Sequence, residues 1–196
     1  MIVLASQSPV RARLLHEAGV AFEIVSAPVD EDAIKKGLLA AGQAPAAIAQ
    51  RLAEAKALSG SNRYPQALVV GADQVLELDG DLVSKSSNMA EASSLLEQLR
   101  GRAHRLISAA ALARNGKVVW QQADAAVLTM RPFSDEFLST YLEREGEAIL
   151  ASVGCYHLEG IGAQLFEKID GDYFTILGLP LISLLAALRE QGEIRA

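Results

Sequence analysis

The chain has 196 residues, 51% of them apolar and 21% charged, which excludes a disordered or fibrous protein and allows one domain, or two small lobes about one cleft, around a buried core. A net charge of -6 excludes a surface built to neutralise duplex nucleic acid, so an anionic ligand must be met by a local cluster of cations. The single cysteine, Cys155, excludes an internal disulfide and a Cys-rich zinc site and fits a reducing, cytoplasmic compartment.

In chain order, "IVLA" suits a short buried strand, and Ser8 before Pro9 matches a helix N-cap with proline in the first turn. That helix is expected to reach about Ala18, with Leu14, Leu15 and Ala18 on its apolar face and Gly19 as its stop. "FEIVS" reads as a second strand. Residues 28–42 place the acidic run Asp30, Glu31 and Asp32 in a charged loop that leads into a short helix. Ile48, Leu52, Ala55 and Leu58 predict a helix over 45–58, stopped by Gly60.

"ALVVGADQVLEL" is a strand pattern interrupted by Gly71, and Asp79-Gly80 is a hairpin turn into "DLV". Asn88 and Glu91 resemble a capping box for a helix that ends at Gly101. The runs "AHRLISAAALA" and "KVVWQQADAAVLTM" flank Asn115-Gly116 and predict a long hairpin. Ser134 caps a helix through Glu145, a loop carrying "GCYHLEG" precedes the strand "AQLFEKI", and Leu181, Leu184, Leu185 and Leu188 mark the apolar side of a last helix. The first residues lack a basic stretch ahead of a long apolar run, and the greasy run "TILGLPLISLLAAL" is broken by Gly178 and Pro180, so neither a signal peptide nor a membrane span is expected. With no repeat and no linker composition, residues 1–196 read as one α/β domain.

The chemistry gathers at a few places. A helix N-terminus offers unpaired N–H groups and the positive end of its dipole, and Ser6, Ser8 and Arg11 stand where they could add hydroxyls and a planar fork for phosphate oxygens. Asp73 ends the apolar stretch "ALVVGAD", where an ionisable group needs a partner, a metal or a cleft, and Gly71 would let a backbone or ligand approach. Lys56 and Lys85 with Arg11 could surround a polyphosphate, while Glu31 and Asp73 offer the hard oxygens that Mg²⁺ or Mn²⁺ prefers. His16, His104 and His157 lack metal-ligand spacing, and no serine-hydrolase, P-loop or dinucleotide-binding motif is present.

In the same order, "LASQSPVRARLL", "VDE" at 29–31, "RLAEAKA", "VVGADQVL", "SK" at 84–85, "LRGRAH" and "LFEKIDGDYFTILGLPL" resemble the Maf family of nucleoside triphosphate pyrophosphatases over nearly the whole chain. The resemblance implies a Maf/ITPase-like α/β fold: an elongated, twisted mixed sheet flanked by helices, with two lobes around a central cleft. It implies hydrolysis of a nucleoside triphosphate between its α and β phosphates with a divalent metal, Mg²⁺ or Mn²⁺. The catalytic set would be Asp73, Glu31, Lys56 and Lys85, with Glu31 and Asp73 as the metal ligands. Ser6, Ser8, Arg11, Val10, Gln74 and Glu159 would bind substrate.

Gln74 and Glu159 resemble the branch that acts on 7-methyl-GTP, whereas Val10 replaces a tryptophan common there, Ala12 one arginine of an Arg-Arg pair for which Arg13 compensates, and Ser86 a proline. Family members often form homodimers. The leading expectation is therefore a pyrophosphatase for 7-methyl-GTP or another modified nucleotide. The alternatives are a dTTP/UTP pyrophosphatase of the same family, a non-catalytic nucleotide-binding regulator of cell division, and a phosphatase that releases orthophosphate.

Overall fold

The structure, a computed structural model, describes residues 1–195. Up to residue 78 the chain interleaves strands with helices: β1 (Ile2–Ala5), α1 (Pro9–Glu17), β2 (Phe22–Ile24), α2 (Glu31–Ala40), α3 (Pro45–Arg63) and β3 (Leu68–Leu78). Both β2 and β3 pair with β1 in parallel, as helical crossovers require. The chain then turns antiparallel. Asp79 and Gly80, at φ 54° and 91°, close a tight hairpin from β3 into β4 (Asp81–Val83), and Asn115 and Gly116, at 52° and 70°, join β5 (Ala103–Arg114) to β6 (Lys117–Met130). Between these hairpins lies α4 (Met89–Leu99), and α5 (Asp135–Glu145), β7 (Phe166–Asp170), α6 (Tyr173–Ile176) and α7 (Leu181–Glu190) complete the fold. The result is a mixed seven-stranded sheet in the order β2-β1-β3-β5-β6-β7, with β4 also on β3 and helices against its faces.

Strand alternation decides what each face buries. The β3 residues Val69, Gly71, Asp73 and Val75 turn toward α3, whose Ala49, Ala53 and Ala57 pack on Val75, Ile107, Ala109 and Ala111. Small residues on both sides bring this helix close to the sheet, and Gly71 is where the approach is tightest: a Cβ there would collide with the Ala53 carbonyl and the Ala57 amide. The opposite face carries two separate clusters. Leu14 and Leu15 of α1 with Leu184 and Leu188 of α7 cover Leu68, Val70 and Leu112, while Leu95, Leu96 and Leu99 of α4 with Leu138 and Tyr141 of α5 cover Leu76, Leu106 and Leu128.

Four local expectations are corrected. The acidic run is the start of α2 rather than a loop, because Asp30 caps the helix by accepting from Ala33 N at 2.9 Å and Glu31 and Asp32 stabilise its first turn. Gly60 does not stop α3; it lies inside it, where a Cβ would stand 2.7 Å from Val69 Cγ1. Gly71 does not interrupt β3, which runs unbroken. Residues 161–165 form a 3₁₀ turn, so β7 begins only at Phe166.

Candidate active site

The sheet's register opens the site. Along one edge β3 pairs with β5 from Val69 to Glu77. Along the other it pairs first with β1, ending at Gly71 opposite Ala5, and then with β4, beginning at Leu76 opposite Val83. Residues 72–75 therefore have no strand neighbour on that edge. The chain leaves β1 at Ser6 and β4 at Ser84, so both segments enter this gap from its two ends. A cleft of about 710 Å³ occupies the gap and extends between the two clusters of the helical face.

All ten predicted site residues line this one cleft: Ser6, Ser8, Val10, Arg11, Glu31, Lys56, Asp73, Gln74, Lys85 and Glu159. Because successive side chains of β3 alternate, Asp73 points to the α3 side and Gln74 to the other, and the open edge lets both reach the same space. Lys56 of α3 is the hub. Its Nζ donates to Asp73 Oδ1 at 2.6 Å and lies 2.9 Å from Glu31 Oε1. Asp73 Oδ2 accepts no hydrogen bond among the described residues. Burial opposes the Glu31 charge, but hydrogen bonding and attraction from Lys56, with help from Lys35, hold its carboxyl below the usual range.

Arg11 is more committed than the sequence suggests. Its Nε donates to Gly178 O at 2.9 Å, and its Nη1 to Ala72 O at 3.0 Å and Ser6 Oγ at 3.3 Å. The Ala72 carbonyl lies on the open stretch of β3, so the guanidinium satisfies a backbone acceptor that no strand reaches and fastens α1 to the link between α6 and α7. Only Nη2 is left without a protein acceptor among the described residues, so the site does not offer a whole fork. Burial draws this guanidinium below its usual range, and Asp73 and Glu31 draw it back up. Ser8 caps α1 by accepting from Arg11 N at 3.4 Å, and Ser6 Oγ accepts from Ser8 N at 3.2 Å, so each hydroxyl keeps its own proton for an anion. Lys85 stands exposed at the rim, yet partial desolvation, then the Arg11 charge, holds its ammonium below the usual range, against Asp73 and Glu31.

The far wall is apolar, formed by Val153, Tyr156 and Ile176 of the α4/α5 cluster, while Val10, packed on the α1/α7 cluster, adds apolar lining of its own. Gln74 Nε2 donates to Thr175 O at 3.2 Å and Ile176 O at 2.9 Å, with Ser108 Oγ at 3.1 Å. Two carbonyls only accept, so the amide nitrogen is fixed there and Oε1 is left as the free acceptor. Glu159 is not a bare carboxylate: Arg13 Nη2 donates to its Oε1 at 2.9 Å. Arg13 thus binds the rim instead of standing in for the arginine that Ala12 replaces. Below the wall, Tyr156 Oη and His104 Nε2 lie 2.7 Å apart in the core.

Lys35, Asp32, Tyr156 and His157 also line the cleft and were not singled out as site residues from sequence. For Lys35 the signal was present, since it stands four residues after Glu31 and a helix there puts both on one side. Among the described residues no group of three or more His, Cys, Asp or Glu side chains is arranged to hold a metal ion. The carboxylate pair alone matches the donor set of Mg²⁺ or Mn²⁺, which takes one or two protein carboxylates and completes its shell with phosphate and water. Among the described residues no helix is long and apolar enough to cross a membrane.

The sequence matches the family model described as Maf-like protein over residues 1–191. It is 54% identical over 193 residues to a nucleoside triphosphate pyrophosphatase of Caulobacter vibrioides, covering 98% of this chain and 96% of that one. It is 50% identical to a protein of the same name from Paramagnetospirillum magneticum, over 98% and 99% of the two chains. A 7-methyl-GTP pyrophosphatase of Rhizobium meliloti is 49% identical over 196 residues, covering 100% of this chain and 98% of the relative.

Proposed function

The chain belongs to the Maf-like protein family, and we propose that it hydrolyses a nucleoside triphosphate between the α and β phosphates, releasing a nucleoside monophosphate and pyrophosphate. The observation that carries this reading is the bridge of Lys56 between Asp73 and Glu31, in one cleft with Arg11 and Lys85. Three cations from three separate parts of the chain neutralise a polyphosphate, and two carboxylates remain for a metal and a water.

The water oxygen attacks the α phosphorus, the bond from that phosphorus to the bridging oxygen breaks, and pyrophosphate leaves. The proton of the water passes to Asp73, whose Oδ2 accepts no hydrogen bond from the protein among the described residues. Lys56 holds both carboxylates in place and offsets charge on the phosphoryl oxygens. Glu31 and Asp73 would hold Mg²⁺ or Mn²⁺, which when bound supplies Lewis-acid charge to the phosphate oxygens. No covalent nucleophile is needed.

The base end favours a guanine-type ring. Gln74 Oε1 and the Glu159 carboxylate are acceptors, and the Watson–Crick edge of guanine presents two N–H donor groups where uracil or thymine presents one. A cationic methylated ring would gain further from Glu159, which makes 7-methyl-GTP or another modified nucleotide the preferred substrate. The enzyme would act in the cytoplasm, where the nucleotide pool lies, as a monomer or homodimer. The test is a panel of nucleoside triphosphates, 7-methyl-GTP, dTTP and UTP included, incubated with Mg²⁺ or Mn²⁺ and analysed for products. Pyrophosphate with the monophosphate supports the proposal. Orthophosphate release would point to a phosphatase, and binding without turnover to a nucleotide-holding regulator.

A further inference from the structure

We propose that Lys35, carried on α2, is the residue that holds the leaving pyrophosphate and so selects for a triphosphate tail. This rests on the hydrolase reading and extends it. The cleft's other cations are largely occupied by protein. Lys56 is held by two carboxylates at 2.6 and 2.9 Å, and Arg11 gives Nε and Nη1 to two backbone carbonyls and Ser6. Lys35 has one distant partner, Glu31 Oε2 at 3.6 Å, and is about one-third exposed. Its three donors are thus available to a ligand at little loss.

Position assigns it to the distal phosphates. The apolar wall of Tyr156 and Ile176 belongs to the α4/α5 side of the sheet, whereas α2 packs on α3, on the opposite face. A nucleotide with its base on that wall passes its phosphates through the open edge of β3, past Asp73 and Lys56, and ends beside α2. The helix is lightly packed, tied to α3 at its N-terminus by the Glu31–Lys56 pair. None of its residues is fully buried, and a groove of about 320 Å³, lined by Ile34, Leu38, Ala55 and Leu58 together with the charged Arg51 and Glu54, separates it in part from α3. A small inward movement of α2 brings the Lys35 ammonium onto the terminal phosphates without breaking a packed core.

Calorimetric titration with inorganic pyrophosphate and, separately, a nucleoside monophosphate, both in Mg²⁺, tests this on the wild type, Lys35→Gln, Lys35→Arg and Lys36→Gln. Lys36→Gln removes the same charge from an exposed position that does not line the cleft. Lys35→Gln should weaken pyrophosphate binding roughly tenfold, the size of one charge-assisted hydrogen bond at a partly exposed site, with monophosphate binding unchanged and Lys35→Arg restored. Pyrophosphate affinity within about twofold of wild type in Lys35→Gln, or an equal loss in Lys36→Gln or for monophosphate, would overturn the assignment. A wild type that binds neither ligand would overturn the hydrolase reading, and this one with it.

Discussion

Replacing Lys56 by methionine keeps the length of the side chain and removes the charge between Asp73 and Glu31. The Lys56 and Asp73 side chains are only 13% and 8% exposed, and opposite unit charges 2.6 Å apart attract by about 6 kcal/mol at an effective dielectric of about 20. Most of that attraction offsets desolvation. What the variant loses is the compensation of a buried carboxylate, which costs about 3–5 kcal/mol when one partner of such a pair is deleted. The Glu31 contact adds under about 1 kcal/mol, because Glu31 is 40% exposed. Lys56→Met should therefore lose about 3–5 kcal/mol in urea unfolding at pH 7 and roughly 6–20 °C in Tm, at about 2–4 °C per kcal/mol for a domain this size. In the double variant Lys56→Met/Asp73→Asn no charge is stranded, and about 2 kcal/mol or more should return. Additivity of the two single changes to within about 0.5 kcal/mol would refute the ion-pair argument.

Gly71→Ala should destabilise the fold by about 3 kcal/mol, since the new methyl meets the α3 backbone, and turnover should fall with it because Lys56 rides on the same helix; a melt within about 2 °C of wild type would show that α3 does not lie that close. Burial pushes His104 down from 6.5 to about 4, so the unfolded chain binds the proton first and stability, full above pH 6.5, declines by roughly 3 kcal/mol as the pH falls to about 4. An NMR titration of His104 with a midpoint near 6.5 would contradict this. Val10→Trp adds a ring to the cleft lining and should raise the kcat/KM preference for 7-methyl-GTP over GTP; an unchanged ratio would remove Val10 from the base pocket.

What the sequence displayed well was local chemistry. Ser8-Pro9, Asn88 with Glu91, Asp79-Gly80 and Asn115-Gly116 act over two to four residues, and each cap or turn forms where those residues stand. Gly60 and Gly71 misled because their role comes from packing: both sit where α3 and β3 touch, and nothing in their neighbours reports that contact. The gap in the sheet was hidden for the same reason, since it depends on where the long-range pairing with β1 ends at Gly71, leaving residues 72–75 before the local hairpin with β4 that begins at Leu76. Residue types in order were enough to nominate Glu31, Lys56, Asp73 and Lys85. The bond from Arg13 to Glu159, across 146 residues, and the anchoring of Gln74 by the carbonyls of α6 required coordinates.

The position of attack is the most direct test of the central claim that these groups act on the α phosphorus. A single turnover of a nucleoside triphosphate in ¹⁸O-labelled water, with Mg²⁺ and mass spectrometry of both products, places the incoming oxygen. The label should appear in the nucleoside monophosphate and be absent from pyrophosphate, with no product from Asp73→Asn. Label in the pyrophosphate, release of labelled orthophosphate, or full turnover by Asp73→Asn would contradict the account.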